Sequence, residues 1–530
     1  MVAPWFEEVA AAAHVDFHHA SGHAGRFLMP EMETGGVGLL DYDGDGYLDI
    51  FCVQGGSLDP AETNRPTCKL YHNLGGWKFE DVTARAGVGG HGEYGMGCAC
   101  ADYDGDGRVD ILVTTVTGPI LYHNNGDGTF TDMTRAAGLT NRSWGTSCAF
   151  VDYDGDGKLD LVIANYLRWS AATELECFSQ GGAPDYCSPL NYKAPLMVTL
   201  YHNLGHGTFE DVSAAAGLDR AYGNGLGVVC ADFNHDGWPD IFVANDAMPN
   251  QLWMNTGHGT FKDEAMIRGC AVNALGIAEA GMGVVAVDLY QRGWLDLFVT
   301  HLVNEGNRLF VNTNGYFNDV VMPKGPGAGS LPFTGFGVAF ADFDNDGQLD
   351  LYVANGRVRL GQSALDPHDP YAEPNTLLRG LGGGDFAAVA PAGGTAKALL
   401  ATSRGLAVGD LDNDGAIDVV VINRDGPVHV LRNLAGQQGH WIMFKARNRQ
   451  GSDALGAQLR LDAAGKAYWR HVGPNEGYSS SNDPRVHFGL GSVGQADKVT
   501  VQWPRGRAEA FGPFLAGKIY ELREGQGQAL

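Results

Sequence analysis

The chain has 530 residues and a formal net charge of −26. That length allows a large core and more than one domain. The acidity argues against a nucleic-acid partner, because no basic stripe is available to displace counterions from a phosphate backbone. No apolar run is long enough for a membrane-spanning helix.

Read from the start, Met1-Val-Ala-Pro-Trp-Phe-Glu-Glu has neither the basic opening nor the apolar core of a signal peptide. Phe6-Glu-Glu-Val9 has the pattern of an outer strand, yet no unit precedes it. Then comes an acidic run, Asp41, Asp43, Asp45 and Asp49, with glycine at its sixth position. It returns as Asp102, Asp104, Asp106 and Asp110, and as Asp152, Asp154, Asp156 and Asp160. A fourth copy has Asp232, Asn234, Asp236 and Asp240. Later copies are Asp342, Asp344, Asp346 and Asp350, then Asp410, Asp412, Asp414 and Asp418. Oxygens at positions 1, 3, 5 and 9 suit a hard cation, and the glycine permits the sharp turn. Left without an ion, such carboxylates repel one another or take up protons. The spacing therefore predicts about six structural Ca2+ sites. A worn copy, Asp288 to Asp296, has Tyr290 and Arg292 at positions 3 and 5. There the guanidinium is expected to fork to Asp288 and Asp296 in place of an ion.

Each acidic run sits between strand-like segments. Strand A precedes it and strand B follows. Strand C has the form Leu-Tyr-His-Asn, as at 70 to 73 and 121 to 124, and strand D the form Phe-Glu-Asp-Val, as at 79 to 82. Seven such units read as a seven-bladed β-propeller spanning residues 1–436. The last unit lacks a strand D, so residues 5–9 are expected to complete it and remove the open edge. Residues 437–530 read as a separate, small β-rich domain.

Strand direction puts the acidic loops on one face and the long connections, 10 to 34, 55 to 67, 166 to 198, 265 to 280 and 356 to 375, on the other. Long loops on a rigid scaffold usually carry binding or chemistry. Residues leaving strand B there include Asn165, Asn245, Asp246, His301, Asn355 and Arg424, with His18, His19, Glu31 and Glu305 on adjoining loops. For acid–base chemistry the candidates are His301 with Asp246 or Glu305, and Arg424. The repeated Asn also fits a purely structural role at strand ends. His18 and His19 are candidate metal ligands with His301 or Glu31, or loop residues with local hydrogen bonds.

Cys98, Cys100, Cys148 and Cys230 fall on strand-like segments and read as small core residues. Cys177 and Cys187 are either free or joined by a local disulfide, which would mark an oxidising compartment.

These residues resemble propellers of the FG-GAP/VCBS type joined to an ASPIC/UnbV domain, the cartilage acidic protein family. The resemblance rests on the seven acidic loops, on Ser403-Arg-Gly-Leu-Ala-Val-Gly-Asp410, and on Gly451-Ser-Asp-Ala-Leu-Gly-Ala457, Gly477-Tyr-Ser-Ser480, His487-Phe-Gly-Leu490 and Val501-Gln-Trp-Pro504. It implies calcium in the loops and a secreted or periplasmic location. The opening residues carry no recognisable leader, which leaves a cytoplasmic location open. It implies no catalytic residues. Two functions remain. One is a calcium-stabilised module that recognises a protein, glycan or small molecule through its long loops. The other is an enzyme acting on a small or secondary-metabolite-like molecule at the axis.

Overall fold

A computed structural model describes residues 3–59, 61–320, 326–360 and 364–530. Residues 1–2, Pro60 in the 55-to-67 connection and 361–363 in the 356-to-375 connection lie outside the described residues.

Seven four-stranded antiparallel sheets make a ring. We name the strands of each blade A to D from the axis outward. The A strands are Val37–Leu40, Gly95–Ala101, Gly145–Val151, Gly225–Ala231, Val284–Val287, Gly335–Ala341 and Ser403–Gly409. Alternating apolar residues on both faces of the sheets fill the spaces between blades. Phe51, Leu70 and Val53 of blade 1, for example, pack against Cys98, Ile111 and Val113 of blade 2. The first segment supplies the outermost strand of blade 7: Phe6 pairs with Asn433 and Glu8 with Leu431. Phe6 is buried against Phe343 and Tyr352 of blade 6. The ring thus closes through its own two ends.

The strand C asparagines reinforce this closure. Asn124 Nδ2 donates to the carbonyl of Val109 in its own blade and to Tyr42 in the blade before. Asn73, Asn203, Asn255, Asn312 and Asn433 make the same paired bonds. Blade 6 has Gly380 at this place, where a Cβ would lie 2.2 Å from the Leu349 carbonyl.

The second domain is built on a three-stranded sheet, with His440–Arg447 between Val486–Gly491 and Lys518–Arg523, and a five-stranded sheet that includes Gln458–Ala463, Lys466–His471 and Lys498–Gln502. Its core contains Phe444, Leu459, Phe488, Val501 and Trp503. It does not stand apart from the propeller, as the sequence suggests. It covers the acidic-loop face. Arg505 donates to the Asp154 carbonyl, Trp469 N to Gln291 Oε1, and Arg485 to the Asp410 carbonyl.

From this domain the segment 473–485 enters the propeller axis. Ser481 exchanges backbone bonds with Val37 and Leu39 of blade 1, and Gly477 with Val284 of blade 5. Cys98 N donates to Ser479 O at 3.2 Å. Two glycines allow this approach: a Cβ on Gly36 would sit 2.1 Å from Ser479 O, and one on Gly97 2.8 Å from Ser479 Cα. Tyr478 runs furthest up the axis. It is fully buried, edge-on to Phe336 at 4.9 Å, and its hydroxyl donates to the Glu33 carbonyl at 2.7 Å. The open axial pocket expected from the propeller alone is therefore filled by the chain's own C-terminal domain.

Tyr478→Ala is expected to destabilise the protein by about 3–5 kcal/mol, the range for emptying a buried aromatic site. Urea unfolding of the full chain checks it.

Candidate metal loops and the long-loop face

In every blade the loop turns on the same bonds. The position-1 aspartate accepts from the backbone N–H of the position-6 glycine, as Asp41 does from Gly46 at 3.0 Å and Asp410 from Gly415 at 2.8 Å. That glycine has positive φ, +92° at Gly46 and +85° at Gly415, where a side chain would be strained. The position-9 aspartate is buried and accepts from both sides. Asp110 takes the N–H of Tyr103 in its own loop and of Asn124 in strand C. Asp49, Asp160, Asp240, Asp350 and Asp418 repeat this pattern.

These loops fit a hard cation. Asp41 Oδ1, Asp152 Oδ1, Asp344 Oδ1 and Asp412 Oδ1 are buried with no hydrogen-bond partner. Burial pushes Asp110 up to about 9 and Asp160 to about 8, with neighbouring loop carboxylates adding to the rise. A bound cation offsets that cost. Carboxylates of Asp41, Asp43 and Asp45, and of Asp102, Asp104 and Asp110, lie close enough to share one ion.

The fifth loop differs from the expected fork. Arg292 reaches Asp296 Oδ1 at 2.7 Å, but its guanidinium makes no hydrogen bond to Asp288 among the described residues. Asp288 is held by the backbone N–H groups of Arg292 and Gly293. The arginine instead lies 5.0 Å from the Tyr290 ring.

In blades 1 to 3 the histidine before the strand C asparagine also faces the loop, a contact absent from the sequence expectations. His72 Nδ1 lies 3.1 Å from Asp49 Oδ1, His123 Nδ1 3.2 Å from Asp104 Oδ2, and His202 Nδ1 3.1 Å from Asp160 Oδ1. In blade 6 the same place holds Arg379, 2.8 Å from both Asp344 Oδ2 and Asp346 Oδ2. The shift from His to Arg at a fixed offset was the available signal.

On the opposite face, His301 stands where blades 4 and 6 have Asn245 and Asn355. Its N–H donates to Asn307 Oδ1 at 3.1 Å, as theirs donate to Asn250 and Asn375. Its Nδ1 bonds the Val299 carbonyl, and burial lowers the imidazole to about 4. No hydrogen bond or ion pair among the described residues joins it to Asp246 or Glu305. Asp246 accepts from the Tyr166 hydroxyl at 2.6 Å, and Glu305 from Ala280 N at 2.9 Å. His18 bonds the His19 carbonyl, and His19 bonds Thr34; neither contacts His301. Glu31 accepts from His23 and from the Tyr186 hydroxyl.

Three long loops do converge on Arg424. Tyr371 lies 4.6 Å and Tyr186 5.6 Å from its guanidinium carbon, and Met32 and Phe27 complete the surround. Tyr186 is next to Cys187, which forms a disulfide with Cys177. Cys98, Cys100 and Cys148 are buried in the core and Cys230 is partly buried.

With this geometry in hand, the chain's relatives can be placed. The FG-GAP-like repeat model matches residues 41–113, 102–163, 182–243, 232–299 and 288–353, and the ASPIC and UnbV model matches 445–529. The chain belongs to the FG-GAP-like repeat family and carries an ASPIC and UnbV domain. It is similar to Cartilage acidic protein 1 of Homo sapiens, 29% identical over 490 residues, covering 89% of this chain and 60% of the relative. Cartilage acidic protein 1 of Xenopus tropicalis is 29% identical over 444 residues, covering 78% of this chain and 61% of the relative. The chain thus spans about three fifths of the length of these relatives. An Agrocybe aegerita lectin that recognises non-reducing terminal N-acetylglucosamine is 15% identical, with a TM-score of 0.40 over 86% of this chain and 95% of its own.

Glu33 provides a test of the axis. Burial first, then the Asp246 carboxylate, pushes it up to about 7. An acid raised on folding holds its proton more tightly in the native state. Its contribution is therefore complete below the unfolded value near 4.5 and is lost as pH rises through about 7. Glu33→Gln is expected to flatten this loss, so the variant gains on the parent between pH 5 and pH 8 in paired urea titrations.

Proposed function

We propose that the protein is a calcium-fastened recognition module whose long-loop face binds a ligand through an exposed carboxylate. The observation that carries this reading is Arg424. Its side chain is only 6% exposed. Yet its Nε has no hydrogen-bond partner, and its NH1 meets only the Met32 sulfur at 3.7 Å. Asp425 Oδ2 forms an ion pair with that Nε at 3.5 Å, too long for a good hydrogen bond. A guanidinium has five N–H donors in a fork that matches a carboxylate. Burying such donors unmade is costly, so the arrangement suits a partner that supplies oxygens. The two tyrosine rings present flat, rigid surface beside the fork. His301, tied to its own strand, supports recognition over acid–base chemistry. The partner is a protein, a glycan or a small molecule with a carboxylate. The Cys177–Cys187 disulfide supports work in an oxidising compartment outside the cytosol.

Six loops, those of blades 1–4, 6 and 7, are assigned Ca2+ as a structural ion. Native mass spectrometry of the calcium-loaded chain is expected to count six ions, and Asp110→Asn to remove one. Chelation should lower Tm reversibly, since each ion at a hundred times its Kd stabilises by about 2.7 kcal/mol.

Binding to arrays of carboxylate-bearing sugars and acidic peptides tests the recognition site. Arg424→Leu is expected to remove binding; it also takes the cation from Asp425 and from the two tyrosine rings, so urea unfolding of the variant is run beside the binding assay to show that it is folded. Binding that is unchanged in Arg424→Leu, or that persists after the ligand's carboxylate is esterified, would count against the reading.

A further inference from the structure

The second domain does not cover the acidic-loop face evenly. Between it and the loops of blades 3 to 5 lies a cleft of about 770 Å³. That falls within the size of small-ligand sites, which favour domain boundaries. It is unusually aromatic. Of the chain's ten tryptophans, four line this one cleft: Trp238 and Trp294 from the propeller, Trp469 and Trp503 from the second domain. Trp238 and Trp294 occupy position 7 of their acidic loops, where other blades have Tyr47, Arg108, Lys158, Gln348 and Ala416. The indoles are thus placed by two blades only, on the side the second domain faces.

Apart from the carboxylates of Asp152, Asp232 and Asp236, which belong to the candidate cation loops, the polar groups left over in the cleft are neutral. Trp503 is 1% exposed and its indole N–H has no partner. The Gln458 amide makes no hydrogen bond among the described residues, and the Gln502 amide uses only its N–H side, toward the carbonyls of Trp503 and Gly506. The nearby cations are already engaged. Arg292 pairs with Asp296, while Arg505 bonds the Asp154 carbonyl and lies 3.6 Å from the Trp238 ring centre. Little remains to hold an anion, and the acidic loops at the rim disfavour one. Trp294 has one face stacked on His235 at 3.9 Å and Trp238 one face under Arg505, so it is the opposite indole faces, beside unmade neutral donors and acceptors, that match a ligand with apolar C–H faces and many hydroxyls.

We infer that this cleft is a binding site for a short neutral oligosaccharide, separate from the Arg424 site and on the opposite face of the ring. Filling it would join the second domain to blades 3 to 5 through the ligand.

Maltotriose, cellotriose, mannotriose and triacetylchitotriose serve as probes on the calcium-loaded full chain. Saturation-transfer NMR and tryptophan emission give the readouts. At least one trisaccharide is expected to bind at millimolar concentration or below. Its affinity should fall about tenfold, the equivalent of one good hydrogen bond or stacking contact, in Gln458→Ala and in Trp294→Ala. Arg424→Leu should leave it unchanged. Gln458→Ala keeps the test valid if Trp294→Ala fails to fold. The proposal is overturned if none of the four binds, if binding survives intact in Gln458→Ala, or if Arg424→Leu abolishes it.

Discussion

The structure depends on a buried carboxylate repeated around a ring. In six blades the position-9 aspartate of the acidic loop starts strand B and accepts N–H groups from its own loop and from strand C; in blade 5 Asp296 accepts from strand C and from Arg292. It therefore fixes three chain segments at one corner. Such a carboxylate is taken out of water, and only its hydrogen bonds and a nearby positive charge make that tolerable. Blade 5 supplies the charge from Arg292. The other six loops present the oxygens for a metal ion. The strand C asparagine then ties that corner to the blade before it. The acidic loops are thus less a set of separate sites than a belt, with every corner but that of blade 6 tied by an asparagine to the blade before.

The second domain adds a different kind of restraint. A propeller axis is lined by A strands whose inner backbone groups need partners. Here segment 473–485 supplies them, with Ser479 and Ser481 bonding blades 1 and 2 and Gly477 bonding blade 5. The axis, which in an isolated ring is a natural place for a site, becomes core. That leaves the loop face and the seam between domains as the places for the two proposed sites.

Much of this was legible because it repeats. The acidic loop, the Phe-x-Asp-Val strand and the unpartnered Phe6 segment gave the blade count, the strand order and the closure. Local spacing carried that information. What stayed hidden was long-range. Nothing in Gly477-Tyr-Ser-Ser480 says that it enters the axis, although Gly36 and Gly97 mark where another backbone approaches. Arg292 was read as a fork to two carboxylates, but its packing on Tyr290 depends on rotamers that spacing does not encode. The sequence pairs His301 with Asp246 or Glu305 as an acid–base candidate, with a structural role like that of the repeated asparagines as the alternative. In the fold it keeps their bonding pattern. Arg424 was visible as a residue, but its tyrosine surround comes from two loops far apart in sequence. The tryptophan cleft needed the docked second domain before it existed at all.

The pairing of Phe6 with Asn433 bears on how the molecule is made. The Phe6–Glu8 strand has no partner until almost the whole ring has been synthesised. Contacts so distant in sequence slow folding, because loop closure must precede any return from pairing. In the meantime the edge of blade 7 and the inner strands along the axis are unpaired and prone to wrong partners. The segment that fills the axis arrives later still. Blades can mature one by one, yet the ring is completed only when the Phe6–Glu8 strand meets strand C of blade 7. A protein built this way has its weakest interval during synthesis, and its cooperativity is decided last.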